Sequence, residues 1–217
     1  RGSANIAILN RLGVDAFVPG NGEYYLPVAE LNRLAGEAKF PFLAANVKTK
    51  NGGKPIGRPS IVLPAGPVNV AFVGLCYARK EVPFTEVEQD DWTATARRLL
   101  PQLRGQADFV VALTHIGFAD DVKLVREVGG IDLLLGGHSH TVLPNGRVVR
   151  DPDGRDVTIC QAGSYLALWS AIQLVARGAG IATGGIVRDV GMALSGEAYL
   201  AYALLFAIEA LGVLASV

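Results

Sequence analysis

ADFVVALTH (residues 107–115) and IDLLLGGH (131–138), joined by IGFADDVKLVREVGG (116–130), decide the fold of this chain. Each flank is an apolar run of strand length without polar alternation, the pattern of a strand covered on both faces. Between them ADDVKLVREV carries its apolar residues at helical spacing, and the paired glycines 129 and 130 read as its stop. Strand, helix and strand in that order predict an α/β layered domain whose sheet is at least partly parallel.

The same grammar extends outward. Residues 3–12 (SANIAILNRL) read as a helix ended by Gly13, and VDAFVP as a short buried strand. Residues 91–104 (DWTATARRLLPQLR) read as a second helix, stopped near Gly105 and kinked or shortened by Pro101. FPFLAAN, PSIVLPAG and VNVAFVGLCY read as further strands, and NGGKPIGRP as a loop. NGRVVRDPDGRDVTICQAGSY predicts a hairpin around a DPDG turn. Residues 177–217 are expected to hold a Gly-rich turn, a strand and an apolar terminal helix, set apart from a domain at 1–176.

Composition narrows the function. The chain has 217 residues, with 20 Lys+Arg against 20 Asp+Glu. It has no dense basic run to follow a phosphate backbone, which argues against nucleic acid as a partner. Cys76 and Cys160 lie in apolar stretches and read as buried free thiols. The start RGSANIAILN has neither an initiator Met nor a signal peptide and reads as a processed product or a fragment. Segment 197–217 is long enough to cross a bilayer, yet Glu209 and the lack of flanking Lys/Arg favour a buried terminal helix. Tyr199, Tyr202 and Phe206 within it read as a packing stripe.

Three segments share one plan: Asp15-AFVPG-Asn21, Asp108-FVVALT-His115 and Asp132-LLLGG-His138. Each begins on Asp, crosses an apolar run and ends on a residue able to bind a metal. In a parallel sheet those ends gather at the carboxyl edge, where open α/β folds hold their ligands. The one-residue spacing of His138 and His140 lets both imidazoles point one way if the backbone there is extended, and glycines 136 and 137 permit close approach. The three Asp residues lie at the opposite edge and read as turn residues. Asp120 and Asp121 fall at a helix start, with a supporting role only for whichever faces inward.

GGHSHT, THIG (114–117) and PGNGE (19–23), with FPFLAANV and VAFVGL, resemble consecutive blocks of the calcineurin-like metallophosphoesterases, in particular the 5'-nucleotidase branch with its GNHE, SHxG and GGHSH motifs. The resemblance spans about residues 3–175. It implies a layered α/β sandwich of mixed β-sheets flanked by helices, incomplete at the N-terminus. It implies a dinuclear site for divalent ions, Zn, Mn or Fe, with Asn21, His115 and His138 on one ion and His140 on the other. In that family a bridging hydroxide attacks phosphorus, since paired cations lower the pKa of bound water and neutralise phosphoryl charge. The implied partner is a small phosphorylated substrate such as a nucleotide, and the implied location is periplasmic or extracellular. Glu23, Gly137, Ser139 and Gln161, with Gly163, are expected to support the site.

The chain departs from the family pattern twice. The family's Asp-x-His and Gly-Asp blocks, which supply most of the first metal's ligands, would lie before residue 1. Gly22 stands where GNHE has a histidine that stabilises the transition state or protonates the leaving group. Two alternatives to a working hydrolase therefore stand: a catalytically degenerate fold serving as a binding or structural module, and a mononuclear site of His115, His138, His140 and water. RGAGIATGG (177–185) lacks the helix and spacing of a dinucleotide loop, and Ser139 lacks the elbow that would make it a nucleophile.

Overall fold

The computed structural model describes residues 2–78, 86–164, 170–173 and 186–189. In chain order the elements are α1 (Ser3–Leu12), a 3-10 turn (Glu23–Tyr25), α2 (Val28–Glu37), β1 (Val47–Thr49), β2 (Ser60–Ala65), β3 (Val68–Cys76), β4 (Val87–Gln89) and α3 (Trp92–Arg104). After them come β5 (Phe109–His115), α4 (Phe118–Glu127), β6 (Leu133–Leu135), β7 (Arg147–Arg150), β8 (Asp156–Cys160), β9 (Ser170–Gln173) and β10 (Ile186–Asp189).

The apolar runs form the centre of a six-stranded sheet of order β2-β3-β5-β6-β8-β7. Strands β3, β5, β6 and β8 are parallel, and β2 and β7 close the two edges antiparallel. Side chains alternate as the pleat requires. Ala71, Val73, Leu75, Val110, Ala112, Leu134, Val157 and Ile159 face α3 and α4 through Ala96, Leu100, Leu124 and Val125. Val70, Phe109, Val111, Leu133 and Cys160 form a second layer, with Ile172 of β9 against it. Both cysteines are free and buried.

Helix α1 occupies the ten residues its spacing predicts. Helix α3 begins at an Asp91 cap, whose carboxylate accepts from the Ala94 N–H at 2.8 Å. Contrary to the expected shortening, α3 runs through Pro101 to Arg104; in its last turn the proline costs one hydrogen bond and leaves too little helix beyond it to redirect. Two expected strands are not strands. In VDAFVP only Phe17 bridges, to Phe42, and in FPFLAAN only Phe42 and Leu43 do. Phe17, Phe40 and Phe42 pack as a ring cluster with centroids 5.0–6.2 Å apart. Side-chain packing, more than a ladder, sets that backbone. The DPDG hairpin forms as β7 and β8.

The Gly-rich stretch 177–185 and the apolar segment 197–217 lie outside the described residues. No helix among the described residues is long and apolar enough to cross a membrane.

Candidate metal centre

Parallel register brings the chemistry together. Cys76 at the end of β3 pairs with His115 at the end of β5, and Leu113 of β5 with Leu135 of β6. His115, the GGHSHT loop and Gln161 therefore leave the sheet at one edge. Asn21 reaches them from the loop after Phe17. Its Oδ1 lies 3.1 Å from His115 Nε2 and 3.0 Å from His138 Nδ1. The two imidazoles meet edge to face, with centroids 5.2 Å apart. Both Asn21 distances are ordinary hydrogen-bond lengths, and both also equal the separation of two donors each about 2.1 Å from one ion at a right angle, so the donor set is compatible with an ion in place of the shared hydrogen bonds. Burial, and after it the neighbouring His138 and His140, push the His115 pKa down to about 4. The ring is thus neutral at ordinary pH, the form that binds metal.

The loop that carries His138 is not extended as expected. His138 and His140 have φ of 78° and 56°, both left-handed. Ordinary side chains are strained there, although histidine tolerates it better than most. The strain is held by a polar framework below. Gln161, 2% exposed, accepts from Ser139 Oγ at 2.8 Å and from the Thr141 N–H at 2.6 Å, and donates to the Gly137 carbonyl at 3.0 Å. Ser139 Oγ also accepts from the Phe118 N–H at 3.0 Å, capping α4 from across the site. The Gly163 N–H donates to the Thr141 carbonyl.

The remaining expected residues divide. Glu23 accepts from the Gly20 N–H at 2.8 Å and so shapes the turn that presents Asn21. Gly22 has open space where a side chain would project. His140 is exposed at the loop's outer end, and the close contacts to Asn21 Oδ1 are those of His115 and His138. Among the described residues no three His, Cys, Asp or Glu side chains gather closely enough to hold a metal by themselves; the cluster needs the amide. Of the paired acids, Asp121 is the one that faces inward. It is fully buried, and burial pushes its carboxyl up to about 7.

Two residues escape a reading for ligand chemistry. The Tyr77 ring stands edge to face against His138 at 5.0 Å and is itself backed by Trp92 at 6.3 Å. Gly20 lets His115 approach, since a β-carbon there would lie 2.9 Å from the imidazole. The glycine before Asn21 is a usable sequence signal; for Tyr77 there is none, because its role depends on β3 and β6 being placed side by side around β5.

One family description, "PUCC protein", matches residues 157–217, less than a third of the chain. The uncharacterized metallophosphoesterase YunD of Bacillus subtilis is 35% identical over 161 residues, covering 68% of this chain and 33% of that protein. Human 5'-nucleotidase is 33% identical over 196 residues, covering 76% and 33%. A 5'-nucleotidase precursor from Thermus thermophilus superposes with a TM-score of 0.82 at 25% identity, covering all of this chain and 47% of that one. The chain belongs to the metallophosphoesterase superfamily, in its 5'-nucleotidase branch. It spans about a third of the length of the curated relatives it matches. As a member of that superfamily it has the phosphoesterase-type fold, and the superfamily is one for which divalent metal dependence is implied.

Proposed function

We propose that the chain is the metal-binding part of a phosphoric ester hydrolase acting on a small phosphorylated compound of the nucleotide class, working outside the cytoplasm as its resemblance implies. The observation that carries this reading is the convergence of Asn21 Oδ1 with His115 Nε2 and His138 Nδ1 at the carboxyl edge of the parallel strands. Asn21, His115 and His138 would hold one divalent ion, and His140, one residue beyond Ser139, would serve a second. An ion so held supplies Lewis acidity toward a phosphoryl oxygen and a more acidic water. The chain's own residues orient the donors: Glu23 sets the Asn21 turn, and Gln161 with Ser139 holds the loop of His138 and His140.

Gly22 favours a second reading, a fold that binds the ion without fast turnover. It cannot move a proton, and proton transfer by a positioned side chain contributes about 10²- to 10⁴-fold in rate. Calorimetric titration of chelator-treated protein with Mn²⁺ and Zn²⁺, followed by hydrolysis of a nucleoside 5'-monophosphate by the loaded protein, tests both. Binding with turnover supports the hydrolase, binding without turnover supports the second reading, and no binding removes both.

A further inference from the structure

A ligand atom must be aimed as well as brought near. Gln161 fastens the loop that carries His138 through the Gly137 carbonyl, Ser139 Oγ and the Thr141 N–H. An imidazole on a fixed backbone still turns about its own side-chain bonds, and the outer of these has only a broad torsional preference. A neighbour beside the loop has to orient the ring.

Tyr77 stands where it can do so. Strand β3 ends at Cys76, whose backbone is held by one buried side chain: the Cys76 N–H donates to Asn46 Oδ1 at 2.8 Å, and Asn46 Nδ2 donates to the Cys76 carbonyl at 2.8 Å. The same carbonyl accepts from Trp92 Nε1 at 2.9 Å. Tyr77 is the next residue, so it leaves the sheet from a fixed point. Its ring meets the Trp92 ring at 66° and the His138 ring at 67°. Trp92 in turn packs on the core between the sheet and α3. The core thus reaches His138 through two aromatic rings in series. An imidazole held edge to face keeps its plane, and of the two orientations that share a plane only one sets Nδ1 beside Asn21 Oδ1, 3.0 Å away. Tyr77 is only partly buried, so shielding apolar surface from water is not its whole use.

We propose that Tyr77 is a positioning residue of the metal centre: its ring, anchored by Trp92 and the Asn46 clamp, fixes the plane of the His138 imidazole. The inference rests on the metal-binding reading above. A contact between aromatic rings is worth about 2- to 10-fold in an equilibrium constant. The Tyr77→Leu protein should therefore bind Mn²⁺ up to about 10-fold more weakly than the parent, while Tyr77→Phe, which keeps the ring, should stay within about 2-fold.

The test is calorimetric titration of the parent and both variants with Mn²⁺, beside nuclear magnetic resonance of the imidazoles in the metal-free proteins. His138 is identified there by the signals that vanish in His138→Ala. Those signals should stay sharp in the Phe protein and broaden in the Leu protein as the ring gains freedom. A Leu protein of parental affinity overturns the proposal. So does a Phe protein as weak as the Leu protein, since the hydroxyl and not the ring would then be acting. A weakened Leu protein whose His138 signals stay as sharp as the parent's also overturns it, and one that fails to fold assigns Tyr77 to the fold instead. If the parent itself binds no Mn²⁺, the metal-binding reading fails first and takes this one with it; a parent that binds while the Leu protein binds equally sinks the role of Tyr77 alone.

Discussion

The two edges of the central sheet carry polar residues from the same repeated segments, and they use them oppositely. At the amino edge, Asp108 accepts from the Asn69 N–H at 2.7 Å, and Asp132 accepts from the Val110 N–H at 2.7 Å while pairing with Arg104. Asp108 is thus tied to neighbouring backbone, and Asp132 to backbone and a cation. A cavity of about 560 Å³ opens beside them, lined by Arg97, Arg104 and Arg155, but these arginines already pair with Glu127, Asp132, Asp151 and Asp153. At the carboxyl edge, His115 and His138 turn toward one amide oxygen, that of Asn21. The groups of the first edge tie the sheet together, while those of the second bring three metal-capable donors to one point.

The sharpest way to break this contrast is His138→Ala. It should abolish metal retention while the α/β core stays folded, read by elemental analysis and circular dichroism of the purified variant. Parental metal content would make the donor cluster a structural knot like the other edge.

Next in size is Gly22→His. A β-carbon at this position meets nothing within 4 Å. Turnover of a phosphomonoester by the metal-loaded protein should rise by about 10²-fold or more, and an unchanged rate in a protein that binds metal would place the deficiency elsewhere.

Asp132→Ala probes the opposite edge. It frees Arg104 and leaves the Val110 N–H unpartnered, costing about 2 kcal/mol of stability in denaturant titration. Metal affinity should not move, because the change lies a full strand length from His138. A variant that loses metal along with stability would dissolve the division of labour between the edges.

The smallest effect is a pair of opposed slopes with pH in the metal-free protein. His115 is pushed down to about 4, so between that and its ordinary value of about 6.5 the unfolded chain holds more protons, and stability falls on acidification through this window. Asp121 is pushed up to about 7; there the folded chain holds more protons, and stability falls as pH rises from about 4 to 7. The two partly cancel in the parent. Melting of His115→Gln should therefore expose a decline toward neutral pH, and Asp121→Asn a decline toward acid. Parallel profiles for all three proteins would contradict both assignments.

The sheet was legible because its central strands are uninterrupted apolar runs bounded by glycines, and α1 because its apolar spacing and Gly13 leave one solution. The bridge at Phe17 was not, since an aromatic cluster imitates a buried strand in sequence. The gathering of His115 and His138 followed from their place at and just after strand ends, whereas Asn21 joins them from a loop that follows a single bridge at Phe17. The backbone of the GGHSHT loop did not: its left-handed turns at His138 and His140 answer to Gln161, which is distant in sequence and joins them only once β8 lies beside β6. Asp121 was ambiguous with Asp120 for a similar reason, as helical phase alone left open which carboxyl turns toward Thr114.

The left-handed backbone at His138 and His140 has a kinetic consequence. Because Gln161 and Ser139 hold that loop through hydrogen bonds within the protein, its shape does not itself depend on an ion. Capture should then be a single bimolecular event whose observed rate climbs linearly with ion concentration, with no plateau from a slow opening step.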